Sequence, residues 1–132
     1  MEPEINSTAS AELIVAESDL ATALDSDLFP AVFATSRMVA LMELAAARLL
    51  QPLLRPGELS VGATLDISHT AATPPGIKVI ATARYLGRDG KLFLFEVVAG
   101  DQGGEIGRGT HKRAIVSTER LLSGAARRTS GA

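Results

Sequence analysis

The sequence of 132 residues contains no cysteine and only two histidines. Without cysteine there can be no disulfide, no cysteine-ligated zinc, no iron–sulfur cluster and no thiol catalysis. Two histidines are too few for a three-histidine metal site within one chain. There is no excess of positive charge, because 13 Lys and Arg stand against 15 Asp and Glu. A protein that binds nucleic acid by neutralising phosphates is therefore not expected.

Long apolar runs are also missing. No stretch approaches the roughly 20 apolar residues that a membrane-spanning helix needs. The acidic start, MEPEINSTASAE, lacks the basic and apolar pattern of a signal peptide. We therefore expect a cytoplasmic protein that contacts neither membranes nor nucleic acid.

The composition is that of one globular domain, with 46% apolar and 21% charged residues. The two ends differ from the middle because they are polar and rich in small residues. We predict a flexible N-terminus over residues 1–10, a folded domain over 11–120 and a flexible tail over 121–132.

Alternating apolar residues and turn signals predict an antiparallel sheet. The hairpin signals are Asp89-Gly90 and Gly103-Gly104. Connections this short join antiparallel neighbours. The predicted strands are residues 11–16, 59–70, 77–87, 91–100 and 105–117.

One helix is predicted over residues 36–51, SRMVALMELAAARLLQ, before Pro52. Thr35 or Ser36 is expected to cap it. The segment is apolar nearly all round, which indicates a buried helix. Residues 17–31 are predicted to be a loop or a short helical lid. Together these elements predict an α+β protein, with an antiparallel sheet wrapped around a long central helix as in the hot-dog fold.

Two residues on this frame stand out as candidates for chemistry. Glu43 has only apolar neighbours three and four positions away on the helix, so it requires a partner or a solvated cleft. A site carboxylate and a structural pair with a strand arginine are both open. His69 ends an alternating series that is predicted to face the helix, namely Val61, Ala63, Leu65, Ile67 and His69.

Three further residues have a structural and a functional interpretation. Thr35 is either the helix cap or a donor to a developing oxyanion at the positive end of the helix. Gly62 either brings a backbone N–H close to a substrate or marks a bulge. His111 lies on a strand with several cations, which favours a solvated edge and a residue without a role in the site.

Three strings carry a resemblance to a known family: FPAVFATSRMVALMELAAARLL, GATLDISHTAATPPG and EIGRGTHKRAIV. Together they resemble the fluoroacetyl-CoA thioesterases of the hot-dog thioesterase superfamily. The similarity runs from about Leu28 to Val116.

The resemblance implies a set of site residues. It places the catalytic residues at Thr35, Glu43 and His69, and a glycine whose N–H faces the thioester at Gly62. It implies that Phe29 gates the acyl pocket and that Arg113 lies near it. If Phe29 does not gate the acyl pocket, Phe33 or Arg37 is the alternative gate residue.

The resemblance also implies a homodimer with its sites between subunits, and no metal or cofactor apart from the CoA of the substrate. We therefore predict a homodimer or a multiple of it. The predicted function is hydrolysis of a short acyl-CoA, with fluoroacetyl-CoA as the leading candidate. Glu43 would either attack the thioester or activate water. A non-catalytic module that binds acyl-CoA or a hydrophobic metabolite is one alternative, and a hydratase or dehydratase on this fold is another.

Overall fold

A five-stranded antiparallel sheet curls around one long helix in the computed structural model, which describes residues 1–131. Along the sheet the strands follow the order β1-β3-β4-β5-β2. The curled sheet around a long helix is the hot-dog arrangement that the sequence predicts, whereas the strand order was not predicted. The strands are β1 (Thr8–Ile14), β2 (Glu58–His69), β3 (Lys78–Asp89), β4 (Leu92–Asp101) and β5 (Gly104–Ser117). The helices are α1 (Thr35–Leu50) and α2 (Thr118–Thr129), with short 3-10 turns at Glu17–Asp19, Ala21–Ala23 and Gln51–Leu53.

Both predicted hairpins are present. Gly90 turns the chain between β3 and β4 with a φ of 63°, and Gly104 follows the β4–β5 turn with a φ of 120°. Side chains other than glycine rarely adopt these angles, so the two glycines fix where the turns form. The hairpins place β3, β4 and β5 side by side, while β1 and β2 close the two edges.

Helix α1 buries one face rather than its whole circumference. It packs mainly against β1 and β3, and each large apolar side chain buried there contributes about 1.5–3 kcal/mol. On the opposite face Ala40 is exposed and Leu44 is 45% exposed. The prediction of a helix buried all round is therefore wrong for this single chain. The buried residues are Met38, Leu41, Met42, Ala45, Ala46 and Leu50.

A β-bulge changes which residues of β2 face the helix. The register with β5 shifts at Ala63, which becomes one extra residue between two paired positions. Since side chains alternate between faces, the extra residue moves Val61 to the outer face and brings Gly62 to the inner face. Leu65 and His69 stay inside as predicted. The placement of Val61 on the inner face was wrong because the bulge at Ala63 interrupts the alternation.

The two ends of the chain are more ordered than predicted. Glu2 accepts a hydrogen bond from the Tyr85 hydroxyl, and Asn6 donates its backbone N–H to the Tyr85 carbonyl, so the first residues lie along β3. Helix α2 covers most of the predicted flexible tail, and the hydroxyl of Ser117 caps it. Ala132 lies outside the described residues. No helix within residues 1–131 has the length and apolar character needed to cross a membrane.

Candidate active site

The hydroxyl of Thr35 points at His69. Thr35 is the first residue of α1, and the capping position is taken by Ala34, which makes no side-chain capping bond. The expectation that Thr35 or Ser36 caps the helix is therefore wrong. Thr35 Oγ1 instead lies 2.8 Å from His69 Nδ1. This hydrogen bond joins the start of α1 to the end of β2.

The other ring nitrogen of His69, Nε2, has no hydrogen-bond partner within the described residues. Nε2 is buried, and no atom of residues 1–131 forms a hydrogen bond with it. Buried polar atoms in folded proteins nearly always have a partner. His69 therefore presents an unused donor or acceptor beside the Thr35 hydroxyl.

A cavity of about 340 Å³ opens beside the Thr35–His69 pair. Phe33 is 1% exposed and forms part of its wall, whereas Phe29 lies at the mouth and is 42% exposed. Both aromatic residues predicted for the acyl pocket therefore line the same cavity as the Thr35–His69 pair. The remaining lining residues are Ala21, Pro30, Val32, Thr70, Ala71 and Ala72.

Residues 21–32, which carry Phe29, form a loop that we call the lid. Its two ends are held together by backbone hydrogen bonds, and we call this point the neck. At the neck, Ala21 donates its N–H to the Val32 carbonyl at 2.8 Å, and Ala34 donates to the Asp19 carbonyl at 2.9 Å. The Asp19 carboxylate also accepts two hydrogen bonds from Arg37 in the first turn of α1. Arg37 thus fixes the neck of the lid to the helix that carries the Thr35 hydroxyl.

Glu43 lies in a different place from the Thr35–His69 pair. Its Oε2 accepts a hydrogen bond from Arg113 Nη1 at 2.9 Å, which is the pair with a strand arginine that the sequence left open. Eight residues along an α-helix correspond to about 12 Å, so Glu43 is roughly that far from Thr35 along α1. The Glu43 side chain is 37% exposed, which leaves its carboxylate accessible.

Arg113 is a buried cation held on several sides. Its side chain is 8% exposed. Its Nε donates to the Ser60 hydroxyl and its Nη2 donates to the Ser60 carbonyl, both at 3.0 Å. A buried charge is costly unless it is paired and hydrogen-bonded, and Glu43 supplies the opposite charge.

Gly62 allows the Glu43 carboxylate to approach the strand. A Cβ atom at position 62 would lie 2.5 Å from Glu43 Oε2, so any side chain there would require the carboxylate to move. Gly62 also directly precedes the bulge residue, Ala63. The bulge that the sequence suggested for Gly62 is therefore observed, and the group that comes close to this position within the chain is the Glu43 carboxylate.

His111 belongs to this second cluster and does not lie on a solvated edge. It is 0% exposed, with Nδ1 2.8 Å from the Thr64 carbonyl and Nε2 3.1 Å from Arg113 Nη1. The prediction was wrong because the cations near His111 in sequence include Arg113, which points inward. The sequence contains a signal for this contact, because His111 and Arg113 are two positions apart on one strand and such residues share a face.

The site residues thus form two clusters within one chain. The first, which we call the Thr35 cluster, contains Thr35 and His69 beside the cavity. The second, the Glu43 cluster, contains Glu43, Gly62 and Arg113 together with His111. Neither cluster offers a metal site, and no group of three potential ligands occurs anywhere in residues 1–131.

Comparison with known proteins gives consistent matches. The family described as "Fluoroacetyl-CoA-specific thioesterase" matches residues 15–119. A relative from Streptantibioticus cattleyicolor, named fluoroacetyl-CoA thioesterase, is 47% identical over 93 residues. That alignment covers 70% of this chain and 67% of the relative.

Solved structures show the same similarity. The fluoroacetyl-CoA thioesterase FlK superposes with a TM-score of 0.89 at 36% identity, over 96% of this chain and 97% of FlK. A Thermus thermophilus member of the thioesterase superfamily superposes at 0.87 and 28% identity, over 98% and 96% of the two chains. Other structures of FlK carry alanine in place of a phenylalanine, or alanine or serine in place of a threonine. Both clusters lie within the matched residues 15–119.

Proposed function

Because the chain belongs to the family of fluoroacetyl-CoA-specific thioesterases, we propose that it hydrolyses fluoroacetyl-CoA to fluoroacetate and CoA. The observation that carries the proposal is the Thr35–His69 hydrogen bond at an aromatic-lined cavity. A hydroxyl at a helix N-terminus and a partly satisfied imidazole are the groups that a thioester carbonyl requires for polarisation and proton transfer.

The substitutions in the FlK variants support the assignment of two residues. The phenylalanine and the threonine replaced in those variants are six residues apart in FlK. Phe29 and Thr35 have the same spacing. The variants were solved with fluoroacetate, with fluoroacetate and CoA, or with acetyl-CoA. We propose on this basis that Phe29 and Thr35 contact the acyl group.

The proposed reaction places the thioester carbonyl oxygen against the Thr35 hydroxyl and the N-terminal N–H groups of α1. These N–H groups have no partner within the helix and carry its positive dipole end. An oxygen of water or of the Glu43 carboxylate joins the acyl carbon, the carbon–sulfur bond breaks, and the departing CoA thiolate takes a proton from His69. We propose that the Gly62 N–H is a further donor to the oxyanion.

Glu43 completes the proposed mechanism in one of two ways. As a general base it removes a proton from the attacking water. As a nucleophile it forms an anhydride with the acyl group, which water then hydrolyses. One turnover in heavy-oxygen water tests the anhydride route: heavy oxygen in the Glu43 carboxylate would establish it, because water then attacks the Glu43 carbonyl of the anhydride and the general-base route leaves Glu43 unlabelled.

We propose that the enzyme is a homodimer formed through β2. That strand is a sheet edge of 12 residues, so one side of its backbone has no neighbouring strand within residues 1–131. Long unpaired edges readily pair with another chain. Leu65 faces inward yet is 46% exposed, close in exposure to Leu44 on the open face of α1. Two copies paired along β2 would cover both leucines.

The dimer would also bring the two clusters together. Gly62 and His69 lie toward opposite ends of β2. If two β2 strands pair antiparallel about a two-fold axis near Leu65, the Gly62 end of one strand lies beside the His69 end of the other. The Glu43 cluster of one protomer then meets the Thr35 cluster of its partner.

The two clusters, the first N–H groups of α1 and water supply every group that the proposed mechanism uses, so we propose a reaction without metal or added cofactor. Cytoplasmic location and the absence of nucleic-acid partners remain predictions of the sequence.

A thiol-release assay tests the proposed function. The purified protein is incubated with fluoroacetyl-CoA, acetyl-CoA and a longer acyl-CoA in the presence of a thiol reagent. We expect rapid thiol release from fluoroacetyl-CoA and loss of this activity in His69→Ala. Binding of the CoA thioester without thiol release would refute the proposal in favour of a binding module. Conversion of an unsaturated acyl-CoA without thiol release would favour a hydratase.

A further inference from the structure

His111 is the one buried titratable residue of the Glu43 cluster to which neither the resemblance nor the proposed mechanism gives a role. Its imidazole is covered by β4 and β5, with the Phe95 ring centre 6.3 Å away, and by Leu65 opposite on β2. The charged groups that face it are Arg113 on its own strand and Glu43 on α1. Its two ring nitrogens both have partners.

The chemistry of these two partners determines the tautomer of His111. The Thr64 carbonyl can only accept a hydrogen bond, so Nδ1 carries the proton. The Arg113 guanidinium can only donate, so Nε2 presents its lone pair. His111 is therefore a neutral imidazole that donates to the β2 backbone and accepts from Arg113.

The surroundings favour this neutral state. Burial lowers the pKa of His111, and the Arg113 guanidinium acts in the same direction. The Thr64 carbonyl and Glu43 act against this change. If Nε2 also carried a proton, it could no longer accept the hydrogen bond from Arg113. The imidazolium and the Arg113 guanidinium would then be two cations in contact.

Both hydrogen bonds lead to groups of the proposed mechanism. On one side, His111 holds the Thr64 carbonyl next to the bulge, two residues from the Gly62 N–H. On the other, it shares Arg113 Nη1 with Glu43 Oε2, so it orients the guanidinium that holds the carboxylate. Its Cε1 would also lie 3.3 Å from a Cβ at position 62.

We propose that His111 is a positioning residue that fixes the Glu43 carboxylate, through Arg113, relative to the Gly62 backbone. The inference rests on the proposed thioesterase function. It assigns no proton transfer to His111, whose two nitrogens are already engaged. Its contribution is to hold the Glu43 carboxylate and the Gly62 N–H in a fixed relative position during turnover.

Two substitutions each remove one of the hydrogen bonds. His111→Gln places an amide oxygen near the position of Nε2, so it keeps the acceptor for Arg113 and loses the donor to Thr64. His111→Asn keeps a donor near Nδ1 and loses the acceptor. Tyr85→Phe is the matched control because it removes another buried hydrogen bond, to Glu2, outside both clusters.

We expect His111→Asn to lower kcat about tenfold or more, because it removes a hydrogen bond to a charged group. KM should change much less, because His111 does not contact the substrate. His111→Gln should recover most of the lost kcat, and Tyr85→Phe should keep the wild-type kcat even where it lowers the melting temperature. Equal kcat in His111→Asn and wild type, or equal losses in all three variants, would overturn the inference.

Nitrogen NMR of the histidines provides a readout that does not depend on turnover. We expect His111 to show a protonated Nδ1 and an unprotonated Nε2 at neutral pH. A protonated Nε2 would overturn the inference, whatever the assay shows. If wild type releases no thiol while the tautomer is as expected, the proposed function fails but the bond from Arg113 to His111 does not.

Discussion

Complementation between two inactive variants tests whether each active site combines both protomers. Glu43→Gln disables the Glu43 cluster, and its amide oxygen still accepts a hydrogen bond from Arg113 Nη1, so the fold should persist. His69→Ala disables the Thr35 cluster. Since a general acid or base contributes about 10²–10⁴-fold, each variant alone should retain at most ~1% of the wild-type rate.

The proposed geometry sets the size of the restored activity. In a mixed dimer, one site receives both substitutions and the other receives neither, because its Glu43 and its His69 come from different chains. Random re-association makes about half of the dimers mixed, each with one intact site of two, so about 25% of wild-type activity should return. That is ~25-fold or more above either variant alone.

The assay is thiol release from fluoroacetyl-CoA after the two variants are unfolded and refolded together. Two different affinity tags confirm that mixed dimers have formed. The control mixture combines Thr35→Ala with His69→Ala, whose substitutions lie in the same cluster, and should restore nothing. Mixed dimers of Glu43→Gln and His69→Ala without restored activity would refute the composite site. A particle of single-chain mass in light scattering would refute the dimer itself.

Three further substitutions test other parts of the structure. Phe29→Ala should reduce the ratio of kcat/KM for fluoroacetyl-CoA over acetyl-CoA. A hydrophobic pocket alone separates such close substrates by only about 1–3 kcal/mol, so the rest of the discrimination must come from a cavity that Phe29 seals. An unchanged ratio would show that another residue is the gate. Gly62→Ala should lower kcat and displace Glu43, since the new Cβ would meet the carboxylate, and wild-type turnover would contradict the close approach. Burial and the Glu2 carboxylate raise the pKa of Tyr85 to about 12 from a reference value of 10.0. The stability that this raised pKa provides is complete below pH 10 and is lost as the pH rises to 12, so urea titrations should show the free energy of unfolding falling across that range in wild type but less in Tyr85→Phe.

The local elements were predictable because each has a local cause. The Asp89-Gly90 and Gly103-Gly104 pairs determine the hairpins, and the run of good helix formers before Pro52 determines α1. The C-terminal helix was missed although its signals are present, with Ser117 as cap and arginines in the last turn. The composition of the last residues, which are small and polar, indicates a flexible tail when it is considered without these signals: SGAARRTSGA.

The inner face of β2 could not be predicted from the alternation of its residues. Nothing in GATLDISH marks Ala63 as an extra residue, because a bulge is defined by the partner strand, more than 40 positions away in sequence. The pair between Glu43 and Arg113 spans 70 positions and depends on the same long-range packing. The resemblance named both residues without indicating that they contact each other.

The neck of the lid has a consequence for how substrate range can change in this enzyme. The backbone bonds beside Asp19 and Ala34 close residues 21–32 into a loop whose two ends lie side by side, immediately before α1. Doubling the length of a loop closed in this way costs only about 0.6 kcal/mol in entropy. Insertions and deletions in the lid can therefore enlarge or shrink the acyl cavity while Thr35 and His69 keep their positions. Thr35 and His69 lie outside the lid, so exchanging residues 21–32 would rebuild one part of the cavity lining and leave the part formed by Thr70, Ala71 and Ala72 unchanged.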